Sequence, residues 1–266
     1  MNQVLQGVTI LCFAASYAVA LGLELFCLWR PGMVRRWVIT ACAGAGFLAH
    51  TVYLLRHGLP LKGEADSLLA LSWILTVFYL IGSVHHRRLA WGVFVLPVVL
   101  VLVIIAWITP DTDTTVQAET TSSLWVWLHV AFMLSGAVGL CVGFMASVML
   151  LVQSARLRHK KLPGAGTRIL SLERLETMNR RAIDLAFPLF TFGLALGFVL
   201  LASTPRSLSI FDPKILATAL LWLMFLVVWY LRHGLHLRGR KVAWWTVVAF
   251  ALLVWALMLN HFDTGI

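Results

Sequence analysis

Residues 122–154 read SSLWVWLHVAFMLSGAVGLCVGFMASVMLLVQS, and this stretch decides the fold. From Leu124 to Gln153 it carries no formal charge, a longer run than the roughly 20 apolar residues a helix needs to cross a bilayer. His129 is its one imidazole. Trp125 lies one turn before it, and Phe132 and Met133 one turn after, on the same helical face. Ser135, Gly139, Gly143 and Ser147 then repeat at four-residue spacing, a small-residue stripe that lets a second helix approach closely. An imidazole is costly to hold in a membrane and marks a functional position by default.

Outward from this segment, composition sets the class. The 266 residues are 61% hydrophobic and 12% charged, with mean hydropathy +0.89, a balance foreign to soluble domains of this size. The chain therefore reads as all-α, a polytopic membrane protein with a single domain over residues 1–266. Apolar runs at about 4–28, 37–55, 67–84, 90–108, 124–153, 183–202, 214–231 and 242–260 predict eight transmembrane helices. The first run has no basic leader and continues past Ala18-Val19-Ala20, so it is expected to be a retained span. Cys12, Cys27, Cys42 and Cys141 fall inside apolar runs without CxxC spacing, as packing residues do, which argues against a disulfide, zinc or covalent haem role for them.

The net charge of +10 is explained by topology and not by nucleic acid. Seventeen Lys and Arg fall in segments 29–36, 85–89, 155–182 and 232–241, against four in 56–66, 109–123, 203–214 and the termini. The positive-inside rule places both termini outside the cytoplasm, in a bacterial cytoplasmic membrane. The opposite loops are short and acidic, with Glu64, Asp66, Asp111, Asp113, Glu119 and Asp212. The long inner loop, Arg156 to Arg181, holds a cap at Ser171 and Leu172, Leu175 and Met178 at spacing three. These predict a short interfacial cytoplasmic helix near 171–182 that runs into the sixth span near Asp184. Its basic residues suit anionic headgroups, which makes membrane lipids a partner.

Depth then sorts the histidines. His50, His129 and His261 come from different helices yet share the outer leaflet, with His57 just beyond. His85, His86, His159, His233 and His236 lie among basic residues on the inner side and read as loop positions. A lone membrane histidine can simply bond a neighbouring helix; several at one depth suggest ligands. Zinc favours Cys, Asp or Glu beside His, and the spans supply few. Glu24, the one carboxylate deep in a span, lies near the inner end, where it would snorkel or pair with a basic loop residue. Haem needs imidazoles, an apolar slot and cations for its propionates. His129, His50 and His261, with Trp125, Arg206 and Lys214, offer that set, for a non-covalent b-type haem.

Two stretches carry a family resemblance: SLERLETMNRRAIDLAFPLFTFGLALG from Ser171, and FDPKILATALLWLMFLVVWYLRHGLHLRGRKVAWW from Phe211. They resemble the transmembrane cytochrome c assembly family, most of all its eight-span HemX/YpjD-like branch, related to the CcsA haem-handling proteins. By that resemblance His129 matches the external histidine that opens a span, and His261 falls close to the second external histidine. His233 lies three residues past an inner histidine position, and His50 resembles one of the branch. The tryptophan-rich segment that cradles haem in CcsA-like proteins is missing, because 109–123 has no tryptophan. The resemblance implies a non-enzymatic protein that binds, relays or senses haem in cytochrome c maturation or haem supply, beside other haem-pathway proteins. The alternatives are a haem-free partner or regulator of a larger complex, and a transporter whose outer histidines gate a proton.

Overall fold

The computed structural model describes residues 9–29, 33–57, 64–85, 92–109, 124–158, 171–202, 213–237 and 239–259. Their regular structure is helical throughout, in eight helices. These are α1 (Ile10–Trp29), α2 (Met33–His57), α3 (Glu64–His85), α4 (Gly92–Ile108), α5 (Leu124–Arg158), α6 (Leu172–Ala202), α7 (Pro213–His233) and α8 (Arg240–Leu259). Six of them, α1, α2, α3, α5, α6 and α7, are long and apolar enough to cross a membrane, counted over the described residues. At 17 residues α4 is apolar but shorter. The apolar runs thus each fall on a helix, while the length and apolarity of a span are met by six.

Contacts gather the helices into two compact units, α1–α4 and α5–α8. Each unit closes the same ring of neighbours. In the first, α1 packs on α2 and α4, and α3 packs on the same two helices. In the second, α5 packs on α6 and α8, and α7 packs on the same two.

The first unit buries Phe13, Tyr17, Ile39, Leu69, Leu75, Leu96 and Leu102. At Gly46 an added Cβ would lie 2.9 Å from Ser16 Cβ and from the Tyr17 ring, so α2 needs a glycine to reach α1. Polar groups inside the unit bond across helices, because lipid offers them no water. The Trp73 indole N–H donates to Thr51 Oγ1 at 2.9 Å, and Thr51 donates to the Phe47 carbonyl at 2.8 Å. Glu24 accepts from the Tyr79 hydroxyl at 3.2 Å and lies against Gly92.

The second unit is built on the α5–α6 seam. An added Cβ would sit 2.8 Å from Phe190 Cβ at Gly136, 2.5 Å from Ala186 Cβ at Gly139, and 3.1 Å from Ile183 at Gly143. The small-residue stripe is real from Gly139 to Ser147. Ser135 stands off it, exposed, and its hydroxyl turns back to the Ala131 carbonyl at 2.7 Å. Residues 172–182 are the first turns of α6, which runs unbroken to Ala202. Ser171 caps it as expected, accepting from the Arg174 N–H at 3.4 Å.

Much of the apolar surface faces outward. Leu48, Leu55, Leu185, Phe192 and Val199 are all exposed, and only 17% of the most apolar window of α6 is buried. A soluble protein would hide these side chains. A bilayer solvates them.

Candidate functional site

His129 sits in the second turn of α5, half-buried, where the seam with α6 is lined by glycines. Gly193 and Gly197 stand one turn apart on α6 and receive Met133 and His129, one turn apart on α5. A Cβ at Gly193 would meet Met133 at 3.0 Å, and one at Gly197 would meet His129 Cε1 at 2.8 Å. The His129 ring therefore occupies the space that a side chain at position 197 would fill.

His129 Nδ1 lies 2.7 Å from the Gly193 carbonyl. A carbonyl only accepts, so Nδ1 carries a proton, and in the neutral ring Nε2 is left with the lone pair. No hydrogen-bond partner for Nε2 occurs among the described residues. A backbone acceptor that fixes tautomer and ring orientation is the arrangement found behind metal-bound histidines. Around it, Phe132 and Phe192 lie with centroids 6.1 Å apart. Trp125, one turn before, is 58% exposed.

His50 is held differently, in the core of the first unit. It has no exposed surface, and its ring stacks on Phe13 with centroids 4.2 Å apart and planes 1° from parallel. The Tyr17 hydroxyl lies 3.3 Å from its Nδ1, and its Nε2 is buried without a partner. His129 and His50 thus belong to different units. Arg206 and His261 lie outside the described residues, and so does the side chain of Lys214, whose backbone is in the first turn of α7. Among the described residues no three His, Cys, Asp or Glu side chains gather as a metal site.

Sequence reasoning missed a second polar centre, at the other end of the seam. Asn179 of α6 is 2% exposed. Its Nδ2 donates to the Gly143 carbonyl at 2.8 Å and to Ser147 Oγ at 2.7 Å, with Thr246 of α8 at 3.4 Å. Its Oδ1 accepts from Arg232 of α7. One amide side chain therefore ties four helices. Nearby, His233 stacks on Trp229 and its Nε2 lies 3.5 Å from Asp184, while Glu176 accepts from the Gly239 N–H at 3.3 Å. The available signal was the motif itself. Glu176, Asn179, Thr191, Gly193 and Gly197 all belong to the quoted LERLETMNRRAIDLAFPLFTFGLALG segment, and each makes an interhelical contact.

A helical membrane protein with a tautomer-fixed imidazole in a glycine notch is the class these features define. The cytochrome C assembly protein family matches residues 63–265, and the chain belongs to that family. It is similar to the cytochrome c biogenesis protein CcsA of Chlamydomonas reinhardtii, 27% identical over 203 residues, covering 74% of this chain and 56% of that protein. CcsA of Trichormus variabilis is 24% identical, covering 76% of this chain and 77% of the relative, and CcsA of Guillardia theta is 23% identical, covering 84% and 79%. This chain therefore spans little more than half of the Chlamydomonas protein and over three quarters of the other two. No solved structure matches it.

Proposed function

We propose that the protein handles haem in cytochrome c maturation or haem supply, binding, relaying or sensing it at the outer side of a bacterial cytoplasmic membrane. His129 Nε2 would hold the haem iron. The observation that carries this reading is the 2.7 Å contact of Nδ1 with the Gly193 carbonyl, which leaves Nε2 as the donor atom and holds the ring on Gly197. The four described cysteines are free, and none stands in CxxCH, so the haem would be non-covalent and b-type. When bound, haem supplies a redox-active, Lewis-acidic iron. The chain's own residues would hold and orient the imidazole and present apolar side chains to the macrocycle, and Arg206 and Lys214 are the cations that the sequence offers for the propionates.

The protein does this as a non-enzymatic handler, with membrane lipids and other haem-pathway proteins as its partners. The absence of tryptophan from 109–123 favours the HemX/YpjD-like branch over a complete ligation site for apocytochrome. Both termini face outward on this reading, as the positive-inside rule predicts from the charge asymmetry.

The test is to purify the protein in detergent after haem supply and record its reduced visible spectrum. A Soret band is expected in the wild type and its loss in folded His129→Ala. His50→Ala and His261→Ala, read in the same way, identify the second ligand. A folded His129→Ala protein with an unchanged spectrum, or a wild type that takes up no haem, would end this reading.

A further inference from the structure

A cavity of about 620 Å³ opens on the outside of the α5–α6 seam, and the haem reading makes no use of it. Its floor is apolar, formed by Val142 of α5 with Met178, Ala182 and Leu185 of α6. Its head is polar, with Ser171, Arg174, Thr177 and Arg181. Thr177 lies three residues after Arg174 and four before Arg181, so both guanidinium groups flank it on one helix face. Both arginines are exposed, and no carboxylate pairs with either among the described residues. Glu173 also lines the cavity, leaving its head with two positive charges against one negative.

Depth tells what kind of molecule meets this groove. Leu185 to Ala202 is an uncharged run, about 27 Å of helix at 1.5 Å per residue, close to the roughly 30 Å hydrocarbon core. With that run in the hydrocarbon, Arg181 falls in the headgroup layer, Thr177 and Arg174 stand one and two turns further out, from where a long guanidinium side chain can reach back to it, and Val142, Ala182 and Leu185 lie where acyl chains begin. A soluble anion would leave the apolar floor bare. A zwitterionic lipid would bring a phosphate but also its own ammonium group, and so no net charge to set against two guanidinium groups.

We infer that this groove binds one anionic phospholipid, its phosphate between Arg174 and Arg181 with Thr177 as a further donor, and an acyl chain along Val142, Ala182 and Leu185. Paired guanidinium groups suit phosphate because each can donate two parallel bonds. Basic pockets between membrane helices take acidic headgroups for the same reason.

The experiment is native mass spectrometry of the full chain, delipidated and then supplied with phosphatidylglycerol or phosphatidylcholine. One retained phosphatidylglycerol per chain is expected, with phosphatidylcholine at least tenfold less occupied. The Arg174→Gln/Arg181→Gln variant should lose the retained lipid, and each single substitution should lower its occupancy. Both side chains are exposed, so the helical circular dichroism should be unchanged. Arg240→Gln/Lys241→Gln, which removes equal charge from the start of α8, should retain the lipid. Equal retention of the two lipids, unchanged retention in the double variant, an equal loss in the α8 control, or a polypeptide found on this face in place of lipid would each overturn the assignment.

Discussion

At the scale of single residues, two side chains carry testable weight. The first is the hydrogen where Gly197 has no side chain. A methyl group there would press on His129 Cε1 from 2.8 Å, so Gly197→Ala should turn the ring away from the Gly193 carbonyl. On the proposed reading, this variant keeps its fold but binds less haem, with an altered axial-ligand spectrum. A wild-type spectrum in Gly197→Ala would mean that the notch does not set the ligand. The second is Asn179. Replacing it with Leu removes the acceptor of half-buried Arg232 and the donor shared by the Gly143 carbonyl and Ser147 Oγ. Interhelical bonds in membranes are individually modest, but several are lost together, so the loss should be about 2 kcal/mol. A thermal melt in detergent should fall by roughly 5 °C. The importance of His129 was legible because an imidazole amid apolar residues stands out. Its partner was not, since Gly193 lies 64 residues away and a backbone carbonyl leaves no mark in a sequence. Asn179 was hidden for a different reason. It sits between Arg174 and Arg180 in what reads as a basic loop, and only the folded ring reveals that it points inward.

Among the elements, α5 and α6 form the seam on which the second unit depends. Gly139→Leu should wedge the helices apart, because even a Cβ would stand 2.5 Å from Ala186 Cβ and 3.0 Å from the Ala182 carbonyl. Gly22 gives the contrast: nothing lies within 4 Å of an added Cβ, and Gly22→Ala should be neutral or stabilising by up to about 1 kcal/mol. Paired melts check both at once. An unchanged melting temperature in Gly139→Leu would remove the tight interface. The four-residue spacing revealed this seam, since small side chains at that interval can face only one neighbour. The full length of α6 took two signals to read, the Ser171 cap and the apolar run. Its first turns are polar, so hydropathy begins the span near 183, whereas the capped helix begins at Leu172. Hydrophobicity marks where lipid begins. Backbone hydrogen bonding marks where the helix begins.

For the molecule as a whole, the charge count predicts orientation. A reporter fused after Ile266 should be active outside the cytoplasm and one inserted near Gly164 inside. The reverse pattern would undo the depth assignments of His50, His129 and His261. The eight helices were legible because each backbone in lipid must close its own hydrogen bonds. The repeated ring of α1–α4 and α5–α8 was not. It rests on which helices touch, and different side chains satisfy the same contacts. One residue-level echo survives. Phe47, Thr51 and Trp73 form the same indole-to-hydroxyl-to-carbonyl relay in the first unit that Phe187, Thr191 and Trp222 form in the second. The spacing from Thr to Trp differs between them, 22 residues against 31, which is why a search for a fixed period finds nothing.

The glycine seam also bears on how this chain can change over generations. Every single-base change that alters a glycine codon adds at least a Cβ or ends the chain. Gly136, Gly139, Gly193 and Gly197 each have a neighbour within 3.0 Å of where that carbon would go. At these positions drift has no small step available, whereas Gly22 and Gly44, with nothing within 4 Å, are free to wander. Lineages of this protein should therefore keep one helix face frozen while the face across the same helices, open to lipid, exchanges one apolar residue for another.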